Sequence, residues 1–272
     1  MRPTLLTPCR VPNTVIRPAL LIALLLACGA ATGCGGDLRR QPPTVKDSAG
    51  VSAGGIVLSA DRSPFRFFSP GSFWNRPLPA DAPLDPSSAA VVGAFDEEIA
   101  NEEAANKGAA NINTIEWSVP IYTVPAHQPT VKVTLEDASR TPALQSAWDA
   151  VPLPADAQPA AGSDEHLVVW QPSTDRLWEF WRLEKTDEGW LASWGGAIRN
   201  VSSNRGAYGP EAWPGATTGW GASASSLSIA GGLITLEDLE LGRINHALAI
   251  ALPDVRAGAY ASPAQRTDGG GH

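Results

Sequence analysis

Apolar positions along this chain follow three rhythms. At 19–27 they form an unbroken run, Ala19-Leu20-Leu21-Ile22-Ala23-Leu24-Leu25-Leu26-Ala27, too short to span a bilayer comfortably. Between 86 and 105 they recur every four residues, as Val91, Phe95 and Ile99, with Asp96, Glu97, Glu98, Glu102 and Glu103 around the rest of the circumference. That pattern predicts a helix with one packed face and the others wet. Asp85-Pro86 marks its start and Asn106-Lys107-Gly108 its end. Beyond it the period falls to two, and 112–117, 121–124 and 131–135 read as short strands.

Thr141-Pro142 opens a short helix through Trp148, and the Pro- and Ala-rich stretch 151–162 is a loop. Three consecutive strands follow at 165–171, 176–185 and 189–195. Their connections, Pro172-Ser173-Thr174-Asp175 and Thr186-Asp187-Glu188-Gly189, have hairpin length and turn residues, which predicts an antiparallel meander. After a Gly-, Asn- and Pro-rich loop at 200–219 come a strand at 223–229 and a short helix from Thr235 to Gly242. Thr235 and Asp238 have capping-box spacing and Gly242 supplies the stop. A last strand at 244–251 alternates Ile244, His246, Leu248 and Ile250 with smaller residues. Consecutive antiparallel strands with few helices predict a mainly β fold, an antiparallel sandwich or jelly-roll-like domain with two or three short peripheral helices.

The first apolar run changes the picture of where the chain works. Arg2, Arg10 and Arg17 precede it, and Ala31-Thr32-Gly33-Cys34 follows it. Basic, apolar and small-residue regions in that order make a secretory signal. Its ending resembles a bacterial lipobox, with Cys34 favoured over Cys28 as the acylated residue because Gly35-Gly36 leads into a tether; secretion without lipid is the alternative. The expected organisation is therefore a lipoprotein signal peptide at 1–34, a flexible tether at 35–63, one β-rich domain at 64–264 and a disordered tail at 265–272. The protein is expected outside the cytoplasm, held to the membrane by the lipid or secreted, and acting as a monomer.

Cys9, Cys28 and Cys34 are the only cysteines, so the folded part has no disulfide, thiol nucleophile or Cys-based metal site. The whole chain carries −8; its first 34 residues contribute +3 and no acid, which leaves −11 on the remainder. An acidic chain without a basic stripe argues against nucleic acid as a partner. His127 and His272 lie in a loop and at the end of the chain, and His166 and His246 are far apart in sequence, so no metal motif is formed and no cofactor is expected.

Tryptophan is the outstanding compositional signal, with 10 Trp beside 6 Phe and 3 Tyr. Trp170, Trp178, Trp181, Trp190 and Trp194 fall on the meander. Alternation places Trp178 with Arg176, Phe180 and Arg182 on one face, and Trp181 with Asp175, Leu177 and Glu179 on the other. They cannot all fill one core. Indole rings with one N–H each suit the apolar faces of sugars, so Trp170, Trp178, Trp181 and Trp194, with Gln171, are candidate contacts for a polysaccharide or cell-wall glycan.

For chemistry, His166 and His246 sit on otherwise apolar strand faces, where burial favours the neutral imidazole that a general base needs. Asp175 and Glu179 are about 13–14 Å apart along one strand, beyond the roughly 5–9.5 Å that paired glycosidase carboxylates use. A lyase-like elimination therefore fits the inventory better than hydrolysis. His166 or His246 would be the base, Tyr208 a proton donor, and Arg199 or Asn200 the neutraliser of a uronate carboxylate. The alternative is a non-catalytic glycan- or cell-wall-binding lipoprotein, and a purely structural envelope protein with its Trp rings buried is a third reading.

As a set, Ser72-Phe73-Trp74-Asn75, Pro120-Ile121-Tyr122-Thr123-Val124-Pro125-Ala126, Trp170-Gln171-Pro172-Ser173-Thr174-Asp175 with Trp178-Glu179-Phe180-Trp181, Ser193-Trp194-Gly195-Gly196, and Gly242-Arg243-Ile244-Asn245-His246-Ala247-Leu248-Ala249 resemble an uncharacterised family of exported bacterial proteins. The resemblance covers about residues 68–269. It implies a single domain and singles out His166, Asp175, Glu179, Arg199 and His246 without supplying roles for them. Family members carry Asp at the position of Asn245 and continue past the counterpart of 265–269; a shortened end would remove a closing strand or part of a site.

Overall fold

The computed structural model describes residues 65–105, 107, 111–252 and 255–271, all within one unit, Ser52–His272. The export segment and the whole of the tether read from the sequence lie outside the described residues. The frame is one five-stranded mixed sheet. Its centre is the expected antiparallel meander: β3 (Leu167–Gln171), β4 (Arg176–Thr186) and β5 (Gly189–Arg199). The edge strands β1 (Ile121–Thr123) and β2 (Val133–Leu135) pair in parallel with β3 and β5, giving the order β1-β3-β4-β5-β2.

Turn chemistry sets the meander's register. Asp175 closes the β3–β4 turn in the left-handed conformation (φ +52°), where a short polar side chain is tolerated. Its carboxylate accepts from Ser202 N (3.0 Å) and Ser202 Oγ (2.7 Å), tying the turn to the segment after β5. At the β4–β5 turn Thr186 Oγ donates to Gly189 O (3.0 Å), and Gly189 supplies φ +124°.

Residues Leu177, Trp178, Glu179 and Phe180 are all buried, so β4 is covered on both sides. On one face α2 (Pro142–Trp148) lies across the strands: Trp178 Nε1 donates to Ala147 O (3.0 Å), and the Trp148 and Phe180 rings are 4.8 Å apart. The other face is covered by irregular chain at 201–232 and 65–75. There the Tyr208 ring rests where a Cβ at Gly196 would stand. The Trp74 ring likewise occupies the space beside Gly206 and Gly231, its Nε1 donating to Gly206 O (3.2 Å). Asn75 fastens this layer by donating from Nδ2 to the carbonyls of Phe67 (2.7 Å) and Ser69 (3.1 Å).

A second sheet is not seen among the described residues; α2 and hydrogen-bonded loops take its place. The expected strand at 223–229 is replaced by turns and one bridge, Ala207 with Leu227. The Ser223 hydroxyl supplies the reason, donating to Leu227 O (2.6 Å) and accepting from Leu227 N (3.2 Å) in competition with a ladder. Residues 112–117 form only the bridges of Ile115 with Trp117 and Glu116 with Ala161. The 244–251 segment is not a strand either: Ala247 N donates to Trp74 O (2.7 Å) and Ala249 N to Gly232 O (3.0 Å), single attachments to two different loops.

The expected helices are present as α1 (Ser88–Ala104), α2 and α3 (Leu236–Leu241). The Thr235–Asp238 capping box and a left-handed Gly242 bound α3 as its spacing predicts. α1 differs in two respects: it starts at Ser88 with Ser87 at its cap, past the expected Asp85-Pro86, and in place of one packed face none of its residues is buried. No helix among the described residues is long and apolar enough to cross a membrane.

Candidate functional site

Trp181 of β4 and Trp194 of β5 are register partners and so share one side of the sheet. Both are partly exposed. Each indole N–H is spent on a flanking segment, Trp181 Nε1 on Asp164 Oδ1 (3.1 Å) and Trp194 Nε1 on Gly219 O (3.0 Å). The rings are thereby held in place with apolar surface left free. The Arg182 guanidinium lies 5.3 Å from the Trp181 ring centre, within cation–π range.

His166, one residue before β3, joins the same region through the loop that carries Gly219. Its Nε2 lies 3.1 Å from Ala222 O. A carbonyl only accepts, so this contact assigns the proton to Nε2 and leaves Nδ1 as an acceptor. Burial lowers the His166 pKa, partly opposed by the bond to Ala222 and the nearby Asp164 charge. The loop itself is pinned to β5, since Gly221 N donates to Gly195 O (2.8 Å).

Beneath this surface lies a buried carboxylate. Glu179 is fully buried. It accepts from Ala222 N (2.9 Å) at Oε1, and from Ser228 Oγ (2.8 Å) and Ile229 N (3.1 Å) at Oε2. Burial raises its pKa, and these donors together with Tyr208 offset part of the rise. The Tyr208 hydroxyl lies next to Glu179 and Ser228, but no well-aligned partner satisfies it. Burial first, and then the Glu179 charge, raises the tyrosine's pKa well above its ordinary value. This cluster fastens loop 222–229 to the sheet.

A second group gathers where α3 meets the 65–75 segment. Asp238 Oδ2 accepts from Thr235 Oγ (2.7 Å) and Thr235 N (2.9 Å), and lies 3.2 Å from His246 Nε2. The other ring nitrogen of His246 faces Ala247 O at 2.9 Å. Burial acts to raise the Asp238 pKa, but the bonds from Thr235 and His246 outweigh it and the net shift is downward. Asp238 and His246 line a small cavity of about 20 Å³ with Arg66, Asn75 and Gly231. That is room for about one water, far less than a sugar ring.

The residues expected to act together are thus divided. His166, Glu179 and Tyr208 converge on loop 222–229, with Trp181 and Trp194 at its exposed side. His246 belongs to the α3 cluster, and the cavity it lines does not include His166. Arg199 is exposed at the end of β5 beside its register partner Arg176, about 17 Å along the strand from Trp194. Trp170 and Trp178 are core residues. Gln171 is buried and spent on Pro125 O (3.0 Å) and the Thr174 hydroxyl (2.7 Å). Gln265 and Arg266, read as the start of a tail, donate to Tyr208 O (2.9 Å) and Ser223 O (2.8 Å).

Sequence reasoning missed Asp164 as the anchor of Trp181, and it saw Asp238 only as a helix cap. An acid three residues after Thr235 signals the cap; nothing local signals that His246 returns to it. Among the described residues no three His, Cys, Asp or Glu side chains gather as metal ligands would. No family model, curated protein or solved structure matches this chain.

Proposed function

We propose that this chain is a non-catalytic glycan-binding protein of the cell envelope, exported and tethered through Cys34. Its binding surface is the Trp181–Trp194 pair with Arg182 and His166 at its edge. The observation that carries this reading is the indole geometry: two partly exposed rings on one side of the sheet, each fixed through its own N–H. Fixed aromatic faces bind apolar sugar faces at little cost in side-chain ordering. The polar groups proposed for chemistry support binding over cleavage, because Glu179 and Tyr208 are sealed under the loop and His246 is committed to Asp238.

A polysaccharide-cleaving reading retains one specific observation. His166 has a lowered pKa near Asp164, the residue that holds the Trp181 ring, and its Nδ1 is left as an acceptor, the form in which an imidazole takes a proton. In an elimination it would take the proton next to a uronate carboxyl as the bond to the glycosidic oxygen breaks and the double bond forms, with solvent water protonating the leaving oxygen and Arg182 balancing the carboxylate.

Retention of the full chain on gels cast with neutral or uronate-rich polysaccharides tests both. The binding reading expects retention by at least one polymer, lost in Trp181→Ala and Trp194→Ala but kept in His166→Gln, with no new reducing ends released. Retention unchanged in both Trp variants refutes the assigned surface. Release of new reducing ends together with an unsaturated uronate at the new non-reducing ends, both abolished in His166→Gln, replaces the binding reading with the elimination.

A further inference from the structure

Arg176 opens β4 and Arg199 closes β5, and the two are register partners on the antiparallel ladder. Both are exposed. Residues directly opposite share a face with their Cβ atoms about 5 Å apart, and like charges so placed destabilise a sheet. A carboxylate between them would relieve the cost, and none is there. Among the described residues the ion pairs lie elsewhere, at Lys132, Arg140 and His246. The acids nearest in sequence do not serve: the Asp175 carboxylate is turned to Ser202, and Glu211 pairs with neither arginine. With 28 acidic residues against 20 Lys and Arg, the chain does not lack carboxylates to place here.

The pair is also aimed. The Arg176 guanidinium lies 5.6 Å from the Trp213 ring centre, within cation–π range. Trp213 packs in turn against Trp178, ring centres 6.2 Å apart, and Trp178 is fixed through its Nε1 to Ala147 O. Arg199 N donates to Ala212 O (2.9 Å), which fastens the Trp213 segment to the same end of β5. A guanidinium lying on a ring keeps its N–H edge free for a ligand. Two guanidinium forks side by side match a group with about two negative charges and several acceptor oxygens. A carboxylate saturates one fork and leaves the other charge unbalanced. An extended polyanion is disfavoured by the net −8 of the chain. We infer that Arg176 and Arg199, with Trp213 as a positioning residue, bind a single phosphoryl group, as free phosphate or as the phosphate monoester of a small molecule. The site is independent of the glycan surface, since Arg176 lies on the Trp178 side of β4 and Trp181 faces the loops.

Titration of the full chain with sodium phosphate and with glucose 6-phosphate, at constant ionic strength, provides the test, with sodium acetate as the carboxylate control. Calorimetry reads the affinity and NMR reads the arginine Nε–H resonances. Phosphate or its ester is expected to shift the signals of Arg176 and Arg199, and acetate to bind roughly ten-fold more weakly or worse. Tighter binding of the ester identifies a sugar phosphate as the source, and tighter binding of phosphate identifies the free anion. Arg199→Gln is expected to weaken the interaction roughly ten-fold or more by removing one fork. Arg176→Lys keeps the charge but loses the fork, and should weaken it as well. Because Arg199→Gln relieves the like-charge pair, without phosphate it should be at least as stable to urea as the unaltered chain. That separates loss of binding from loss of fold. Phosphate should raise the urea midpoint of the unaltered chain and not that of Arg199→Gln. Unchanged affinity in Arg199→Gln, acetate bound as tightly as phosphate, or shifts confined to other arginines overturns the inference. So does the absence of binding by either phosphate compound.

Discussion

Replacing Glu179 by Gln keeps the volume of the side chain and removes its charge. Three donors now converge on the two oxygens: Ala222 N on Oε1, and Ser228 Oγ and Ile229 N on Oε2. In the best arrangement the Gln carbonyl retains Ala222 N, and its amide donates to a reoriented Ser228 hydroxyl. The Ile229 N–H is then orphaned, a cost of about 1–3 kcal/mol. The charge works in the opposite direction. Burial lifts the Glu179 carboxyl above its ordinary value of 4.5 despite the donors around it, so the folded state holds this proton to higher pH than the unfolded chain does. The contribution of Glu179 to stability is therefore fully present below pH 4.5. It declines as pH rises toward the folded-state value, by up to about 1.4 kcal/mol per pH unit. Gln has no such slope. Urea unfolding followed by Trp fluorescence, from about pH 4 to 7 in both chains, should show Glu179→Gln less stable by about 1–3 kcal/mol at the acid end. The gap should narrow as pH rises. Every other titrating group is common to the two chains and drops out of the difference. A gap that is constant or widens with pH, or no gap at about pH 4, would refute the reasoning.

Gly196→Ala drives a methyl into the Tyr208 ring, which is itself buried and packed against Gly221; overpacking of this kind costs about 1–3 kcal/mol and should lower the urea midpoint with an unchanged slope. Asp238→Ala removes both halves of the capping box and the partner of His246, a loss of about 1 kcal/mol for the cap. Amide exchange at Ala247 and Ala249 should quicken with it. Because the Asp238 carboxyl lies below its ordinary 3.8 in the fold, its contribution is present above pH 3.8 and disappears as pH falls through the folded value; the variant lacks that acid limb. His166 should titrate in an NMR series below its ordinary 6.5, since burial disfavours the imidazolium. Stability should accordingly fall as pH drops below 6.5, a dependence that His166→Gln removes.

Trp181 and Trp194 are rigid because neighbouring loops consume their N–H groups.

The sequence by itself determined the elements whose causes are local. The meander over β3, β4 and β5 was legible because alternation and turn residues act within a few positions, and α3 because Thr235, Asp238 and Gly242 cap it from within its own neighbourhood. The parity of β4 held from Trp178 to Trp181, with Trp178 and Phe180 facing α2 and Glu179 and Trp181 facing the loops; it failed at Arg182, expected opposite Trp181, whose φ of +54° accompanies a guanidinium lying over the Trp181 ring. Tertiary structure decided the rest. It made the sheet mixed, since β1 pairs in parallel with β3 and β2 with β5, segments distant in sequence. It turned 223–229 into turns, since serine hydroxyls took the backbone bonds a strand would have used. It buried Trp170, Trp178 and Glu179 and left Trp181 and Trp194 partly exposed, a choice that periodicity cannot make when both faces of a strand are covered. It also paired His246 with Asp238 rather than with His166. Contacts between segments far apart in sequence depend on how layers stack, and no local pattern in this chain encodes that.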